Sequence, residues 1–206
     1  LSPSTGRMRE VVLSREIADR RLVHWHQLPG TTIGHVRIAG FSKSVGQDLR
    51  WALVGLQRQD IGGVILDLRN HPGGLFGEAV TVASQFLSDG NVLLVVDGAG
   101  RTAPVGVQAG GVALEIPVVV LVNSGTTSAA EVVAGALQDA GRAILLGETT
   151  FGTGTLLAEV ALRDGSAMLL AVGKWLTPAG RAVWHRGITP DIEVVLPPTA
   201  QPLFPI

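Results

Sequence analysis

The sequence predicts an α/β domain in which helices pack on a mainly parallel sheet. Short, almost wholly apolar runs at 63–68 (GVILDL) and 118–122 (VVVLV) are typical of strands buried on both faces of a parallel sheet. Stretches of helical length separate these runs, and such alternation indicates a layered α/β architecture. The composition agrees, because 46% of the 206 residues are hydrophobic and 27 are glycine, which suits a well-buried domain with many turns.

The composition also excludes several classes of protein. The formal net charge is −1, which gives no long-range attraction to nucleic acid or to an anionic membrane, so we expect no nucleic-acid partner. The absence of cysteine excludes disulfides, thiolate metal sites and cysteine nucleophiles. Charges or glycines interrupt every apolar run before it reaches the length of a membrane span, so no integral membrane segment is expected. The chain has only two lysines, Lys43 and Lys174, which restricts any lysine chemistry.

The first half of the chain predicts strands around one amphipathic helix. Residues 10–17 (EVVLSREI) alternate like a half-exposed strand, and residues 32–38 predict a second strand. Ser44 then opens a helix. The apolar face of this helix consists of Val45, Leu49, Ala52, Leu53 and Leu56. The buried strand at 63–68 follows, and a glycine loop leads from it into a helix predicted over 75–87.

The second half continues the alternation of strands and helices. The predicted elements are strands at 91–96, 118–122 and 143–146 and a helix over about 127–140. Residues 97–111 predict a long loop rich in glycine and alanine. Residues 155–162 and 167–173 flank the turn sequence Arg-Asp-Gly-Ser, which predicts a β-hairpin. No internal repeat accompanies these elements.

Ser128 is the first candidate for chemistry. It lies where the predicted strand at 118–122 gives way to a helix, and free N–H groups at a helix N-terminus can stabilise an oxyanion. The alternative is structural, because Ser128 and Glu131 have the spacing of a capping box. The local pattern leaves both interpretations open.

Gly73 and Gly74 have the same ambiguity. Paired glycines after a buried strand let the backbone approach another group closely, as a cradle for an oxyanion or a peptide requires. A tight turn at the entry of the following helix explains them equally well. The local sequence therefore does not decide between a functional and a structural role.

Two further segments do not support a ligand site. His71 is a candidate base or metal ligand, but no second histidine or carboxylate lies at ligand spacing, so we expect a solvent-exposed loop histidine and no metal. Residues 147–153 (GETTFGT) superficially resemble a phosphate-binding loop. The lysine of such a loop is absent and a strand follows instead of a helix, which excludes a nucleotide site, and no cofactor is expected.

Six segments, taken in order, carry a resemblance to a known family. Residues 64–74 (VILDLRNHPGG) resemble the signature LDLRxNPGG, and residues 125–131 (GTTSAAE) resemble the nucleophile motif GSASASE. The other matching segments are 33–38 (IGHVRI), 147–152 (GETTFG), 175–181 (WLTPAGR) and 187–191 (GITPD). The sequence thus resembles the C-terminal processing peptidases, or tail-specific proteases, over most of its length.

The resemblance implies a fold and a division of the chain. The implied fold is a crotonase- and ClpP-like α/β core with a mainly parallel sheet. Residues 10–17 then correspond to the last strand of a PDZ-like peptide-binding domain. The expected division is the end of that domain and a linker at 1–21, the peptidase core at 22–196, and an extended proline-rich tail at 197–206.

The resemblance also implies the members of a catalytic site. Ser128 falls on the nucleophile of the family. Gly73 or Gly74, together with Ala129, falls on the backbone donors of the oxyanion hole. We therefore expect the Ser128 side chain at a helix N-terminus, close to the backbone of the two glycines.

The general base of the family has no counterpart in this chain. Family members pair the serine with a desolvated, neutral lysine. That position, 25 residues after Ser128, holds Thr153, and the position of the glutamine that orients the lysine holds Leu157. A threonine hydroxyl does not accept a proton near neutral pH. Lys174 corresponds to a different lysine of the family, which we interpret as structural, and Lys43 has no counterpart as a base. From its spacing, Thr153 is expected within a side chain's reach of Ser128.

These observations lead to two functional hypotheses. The first is a serine endopeptidase that cleaves unstructured or C-terminal polypeptide segments through Ser128, weakened by the loss of the lysine base. The second is a pseudoprotease that binds peptides or acts as a scaffold. Either would take a polypeptide as its partner, and the resemblance implies an exported protein of the periplasm or cell envelope. The sequence indicates no particular oligomeric state.

Overall fold

The computed structural model describes residues 21–195, which form two β-sheets and three helices. The strands are β1 (Val23–Gln27), β2 (Ile33–Ile38), β3 (Gly63–Asp67), β4 (Asn91–Asp97), β5 (Thr102–Gly106), β6 (Val118–Val122), β7 (Ile144–Gly147), β8 (Thr155–Ala161), β9 (Ala167–Leu176) and β10 (Ile192–Glu193). The helices are α1 (Val45–Gln57), α2 (Phe76–Ala83) and α3 (Ala129–Asp139). The strand predicted at 10–17 and the tail predicted at 197–206 lie outside the described residues.

The larger sheet has six strands in the order β1-β2-β3-β6-β7-β10. β1 runs antiparallel to β2, and every other neighbouring pair in this sheet is parallel. Val64 and Leu66 on β3 and Val118 and Val120 on β6 are buried, and each pair points to one face of the sheet because residues two apart in a strand lie on the same side. Ile65, Val119 and Leu121 on the opposite face are only partly buried, so the expected burial on both faces is complete on one face alone. The predicted α/β fold with a mainly parallel sheet is confirmed.

The helices pack on one another and on both sheets. α1 contacts β1 and β2, α2 contacts α1 and α3, and α3 contacts β7 of the larger sheet and β4 of the smaller one. α1 buries the apolar face that its sequence predicts. All residues of α3 from Ala129 to Leu137 are buried, because the many alanines and valines and one glycine of this helix allow close packing on every side. α3 is therefore a core element that fixes whatever lies at its N-terminus.

The smaller sheet is antiparallel, with its strands in the order β5-β4-β9-β8. β8 and β9 form the predicted hairpin, which we call the hairpin arm (residues 155–176). Much of the apolar surface of the arm is exposed, at Leu157, Val160, Leu162, Met168, Leu169, Leu170 and Val172. The base of the arm packs on the core through Trp175, which is buried.

Some elements differ from the sequence-based expectation. β1 and β10 were not predicted, and β5 lies inside the loop predicted at 97–111. β1, β5 and β10 are edge strands, where an open side and partial exposure weaken the apolar pattern, and Pro104 within β5 is typical of such an edge. The helix predicted over 75–87 ends at Ala83. Just beyond it, the Ser84 hydroxyl donates to the Val80 carbonyl at 2.7 Å and accepts the Gln108 N–H at 2.9 Å.

Candidate active site

Ser128 lies in the turn that joins β6 to α3. Thr126 holds this turn in place, because its hydroxyl donates to the carbonyl of Leu68 at the end of β3, at 2.8 Å. Ser128 has φ 53° and ψ −117°, a conformation that L-residues rarely adopt. Its hydroxyl makes no capping hydrogen bond to α3. The side chain therefore lies at a helix N-terminus, with its hydroxyl making no hydrogen bond to the helix.

Ser128 and Glu131 stand in the capping-box arrangement that their spacing predicts, although no hydrogen bond to the Ser128 hydroxyl completes it. The Ser128 N–H donates to Oε2 of Glu131 at 2.8 Å, which is the return bond of a capping box. The Glu131 N–H, in contrast, bonds to the backbone carbonyl of Ser128 at 2.9 Å rather than to the hydroxyl. The capping box thus accounts for the pairing of Ser128 with Glu131, while the Ser128 hydroxyl makes no hydrogen bond to α3.

The buried carboxylate of Glu131 also brings Thr153 to Ser128. Its Oε2 accepts the N–H groups of both Ser128 and Thr153, at 2.8 and 2.9 Å, so their backbone nitrogens lie within the combined length of two hydrogen bonds. Its Oε1 accepts the Thr150 hydroxyl and the Gly152 N–H, each at 2.6 Å. The loop after β7 is therefore fastened to the first turn of α3, and the structure places Thr153 beside Ser128, as the spacing predicts.

The two glycines of the loop after β3 lie against this turn. A Cβ atom on Gly73 would be 2.8 Å from Cβ of Ser128, so only a glycine allows this approach. A Cβ atom on Gly74 would be 2.1 Å from the carbonyl oxygen of Phe41. Both glycines also have positive φ, at 87° and 137°. The close contact that the sequence left open is thus a feature of the fold.

The backbone N–H groups near Ser128 differ in whether they already donate a hydrogen bond within the chain. The Gly73 N–H donates to Nδ1 of His71 at 2.9 Å. Within residues 21–195, the N–H groups of Gly74 and Ala129 have no hydrogen-bond partner. Two unpaired amides beside a serine hydroxyl are the groups that an oxyanion hole requires.

His71 is buried, which corrects the expectation of a solvent-exposed loop histidine. Its ring packs on Phe41 with 4.6 Å between centroids, and its backbone carbonyl accepts both the N–H and the hydroxyl of Thr127, at 3.0 and 3.1 Å. Burial and the nearby Arg37 charge lower the pKa of His71 to about 4, so the ring is neutral at neutral pH. The buried ring packs on Phe41 while Thr127 holds the His71 backbone, and both partners are distant in sequence.

Leu157 lies on the hairpin arm, four residues after Thr153. Its side chain is 58% exposed, and a register shift between Leu156 and Leu157 interrupts the pairing with β9. No hydrogen bond or ring contact described within residues 21–195 joins it to Ser128. Of the two apolar residues near Thr153 in the sequence, Phe151 is 67% exposed and Leu156 is partly buried against the core.

Lys174 is held at an aromatic face. Its Nζ lies 4.5 Å from the centroid of the Trp184 ring. Lys174 and Trp184 also line an open cavity of about 460 Å³ between β8, β9 and the end of β4. These contacts agree with the structural interpretation of this lysine.

The comparisons with known proteins identify the family. A family model described as Peptidase family S41 matches residues 32–194, which is more than half of the chain. The chain belongs to this family.

Several curated and structural relatives are similar to this S41 chain. It is 39% identical over 195 residues to the chloroplastic carboxyl-terminal-processing peptidase 3 of Arabidopsis thaliana, covering 90% of this chain and 37% of the relative. It is 41% identical over 170 residues to the carboxyl-terminal-processing protease of Synechocystis sp., covering 82% and 39%. The solved photosystem II D1 C-terminal processing protease superposes with a TM-score of 0.79 at 34% identity, over 88% of this chain and 50% of the other. The chain thus spans half or less of these relatives.

The sequence analysis missed two residues that hold the S41 site in place. Glu131 accepts hydrogen bonds from the neighbouring loop, and Asp67 lies at the end of β3. Asp67 is buried and accepts Nε and Nη2 of Arg69, at 2.9 and 2.6 Å. Burial alone would raise its pKa, but hydrogen bonds from Arg69 and His35 hold that pKa well below its usual range. The carboxylate therefore stays charged and anchors the strand from which the glycine loop departs. Its place in the Leu-Asp-Leu-Arg segment was the available signal.

No helix within residues 21–195 of the S41 chain is long and apolar enough to cross a membrane. No group of three or more His, Asp or Glu side chains there is arranged to hold a metal ion.

Proposed function

We propose that this S41 chain is the core of a serine endopeptidase of the C-terminal processing type, with Ser128 as its nucleophile. One observation carries the proposal: the uncapped Ser128 hydroxyl lies at the N-terminus of α3, against Gly73 and close to the unpaired amides of Gly74 and Ala129. A structural turn needs neither the strained serine nor the free donors. An acyl-transfer site needs both.

The proposed reaction follows from these positions. Oγ of Ser128 attacks the carbonyl carbon of the scissile peptide bond while its proton passes to an acceptor. The resulting oxyanion receives hydrogen bonds from the N–H groups of Gly74 and Ala129, and the positive end of the α3 dipole adds to their effect. Collapse of the tetrahedral intermediate expels the amine, which takes up a proton, and leaves an acyl-enzyme on Ser128. Water then hydrolyses this ester.

The acceptor for the serine proton is the weak part of this site. Thr153 occupies the place of the base and has no group that is basic near neutral pH. A positioned base contributes on the order of 10²–10⁴-fold in rate. Without one, water accepts the proton, and the oxyanion hole supports the remaining turnover. We therefore propose slow, Ser128-dependent cleavage.

The substrate class follows from the family and the names of the relatives. Those relatives are described as carboxyl-terminal-processing peptidases, and we propose unstructured or C-terminal polypeptide segments as substrates here. The relatives include a chloroplastic and a cyanobacterial protein, which supports an exported or lumenal location for this chain. The proposed chemistry requires no cofactor.

A second candidate function is a peptide-binding pseudoprotease. The observation that favours it is the paired loss of the base and its orienting partner, with Thr153 and Leu157 at those positions. A groove freed from catalysis would bind the same extended peptides and release them uncleaved.

Peptide turnover by the purified chain distinguishes the two functions. An unstructured peptide with a free C-terminus would be incubated with the natural chain and with the Ser128→Ala variant, and both cleavage and binding would be measured. We expect slow cleavage by the natural chain and none by the variant, with similar binding to both. Equal binding without cleavage by either protein would favour the pseudoprotease. A chain that neither binds nor cleaves contradicts both proposals.

A further inference from the structure

His71 connects the loop of Gly73 to the turn of Ser128. On one side its Nδ1 accepts the Gly73 N–H at 2.9 Å. On the other its backbone carbonyl accepts the N–H and the hydroxyl of Thr127, the residue before Ser128, at 3.0 and 3.1 Å. The buried ring packs on Phe41, whose own N–H donates to the Gly73 carbonyl at 3.0 Å. His71 is thus one of the residues that set the relative position of the two loops, beside Asn70 and Asn123.

The contact at Nδ1 fixes the protonation of the ring. Because Nδ1 accepts a hydrogen bond, the neutral ring of His71 must carry its proton on Nε2. Nε2 is buried and has no partner within the described residues. Within residues 21–195, burial lowers the pKa of His71 most strongly, a hydrogen bond with its own backbone raises that pKa in part, and the charge of Arg37 lowers it further, so the net shift is downward. The acceptor state at Nδ1 is therefore maintained at neutral pH.

The hydrogen bond from Gly73 decides which N–H group of the loop already has a partner. With the Gly73 N–H directed at His71, the loop offers the N–H of Gly74 instead. The bond links the side chain of residue i to the N–H of residue i+2, as an Asx turn does with aspartate or asparagine. An acceptor at position 71 is therefore the chemical requirement, and the ring supplies it while filling the space beside Phe41.

We propose that His71 is a positioning residue for the oxyanion hole: its Nδ1 holds Gly73 so that the N–H of Gly74 stays free for the developing negative charge. This inference rests on the proposed function, because it assigns the oxyanion to the Gly74 amide. His71 itself touches neither the substrate nor the reacting atoms.

The test compares two probes of one peptide sequence, one ending in a boronic acid and one in a carboxamide. The boronic acid adds to a serine hydroxyl and needs the oxyanion donors, whereas the carboxamide reports groove binding alone. Binding would be measured for the natural chain and for the Ser128→Ala, His71→Phe and His71→Asn variants. His71→Phe keeps the ring volume and removes the acceptor, and His71→Asn restores an acceptor at Asx-turn spacing. Thermal unfolding would verify that each variant is folded.

We expect the natural chain to prefer the boronic acid in a Ser128-dependent manner. His71→Phe should lose about tenfold or more of that preference, since one oxyanion donor is worth on the order of 10²–10³ in rate, while carboxamide binding changes less than about twofold. His71→Asn should retain the preference within about threefold. Ring ¹⁵N shifts at pH 7 should show the proton of His71 on Nε2.

Several outcomes would overturn the inference. A proton on Nδ1 removes its basis, and so does a folded His71→Phe variant that keeps the full preference. Equal losses in His71→Phe and His71→Asn would assign the effect to packing rather than to the acceptor. If the natural chain shows no Ser128-dependent preference at all, the proposed function itself fails, and the role of His71 falls with it.

Discussion

Ser128 has a backbone conformation that costs a non-glycine residue on the order of 1–3 kcal/mol. The fold maintains it through contacts on both sides, since the Ser128 N–H is bound by Glu131 and the preceding residue, Thr127, is bound by His71. A local motif alone would relax to a capped helix with the hydroxyl on a backbone amide. The strained serine is thus a consequence of groups that lie far apart in the sequence.

Restoring the missing base should raise peptidase activity. The double variant Thr153→Lys with Leu157→Gln would place an amine beside Ser128 and give it a hydrogen-bond partner, and we expect a gain of at least about tenfold in kcat/KM. Only the neutral amine is a base, and the partly buried position with an exposed Phe151 desolvates it only in part, so the gain should increase from pH 7 to pH 9. Cleavage of an unstructured peptide over this pH range measures both effects.

Three controls make the restoration test specific. Thr153→Met has the reach of lysine without the amine and should give no gain. Thr153→Lys alone should do less than the double variant, because an unoriented lysine can turn toward solvent. Adding Ser128→Ala should abolish the gain, since these groups act as a unit. An inactive but folded double variant would indicate a remodelled groove and favour the pseudoprotease.

Protonation of His71 should couple folding to pH. The pKa of His71 is about 4 in the folded chain and near the ordinary 6.5 when unfolded, so between these values the unfolded chain binds the additional proton. Its contribution to stability is complete above pH 6.5 and is lost as the pH falls toward 4, by up to roughly 3 kcal/mol. Urea unfolding of the natural chain and of His71→Phe at pH 7, 5 and 4 measures it. The difference between the two proteins should change with pH, and parallel curves would contradict the prediction.

At the scale of elements, the loops that end the central strands carry the site. The loop after β3 and the turn after β6 are joined by reciprocal bonds between Asn70 and Asn123, each at 2.9 Å. These two strands are parallel neighbours, so their carboxyl ends, and the groups that follow them, meet at one edge of the sheet. This is the general location of ligand sites in parallel sheets.

A pair of glycine substitutions tests how rigid this edge is. Gly74→Ala places Cβ 2.1 Å from the Phe41 carbonyl oxygen at a φ of 137°, and we expect a loss of more than about 2 kcal/mol in unfolding free energy. Gly77→Ala, three residues later inside α2, meets nothing within 4 Å and should stabilise the chain by about 0.5–1 kcal/mol. Chemical denaturation of both variants gives the comparison. Similar values for the two would mean that the loop after β3 is free to shift.

For the whole molecule, the distribution of burial separates the core from the hairpin arm. Leu145→Ala on β7 removes a fully buried side chain and should cost about 2–5 kcal/mol. Leu169→Ala is the same change on the arm, where the side chain is 64% exposed, and should stay within about 0.5 kcal/mol of the natural chain. Thermal and urea unfolding measure both. A large loss at Leu169 would show that the arm is covered in solution.

The order of the central elements follows from the sequence because each signal is local. Strands β3, β4 and β6 and helix α1 have apolar patterns that their own residues specify, and their predicted bounds agree within a residue or two. The edge strands β1 and β5 were not predicted, because they are strands through pairing with a neighbour rather than through an apolar pattern of their own. The six ordered motifs also gave the family correctly, since spacing along the chain survives substitution of individual residues.

The sequence by itself determined the α/β class and the family, because these depend on local periodicity and on the order of residues, and it predicts Thr153 at the place of the family's lysine. The local sequence pattern did not decide whether Ser128 is a helix cap or a nucleophile, and it predicted that His71 is exposed to solvent. Only the tertiary structure decided that the hydroxyl is uncapped, that Glu131 gathers the loops around it, and that His71 is buried. The physical reason is that each of these facts depends on contacts between segments 20 to 60 residues apart, such as Thr126 with Leu68 or Thr127 with His71. Their geometry exists only once β3 and β6 have paired.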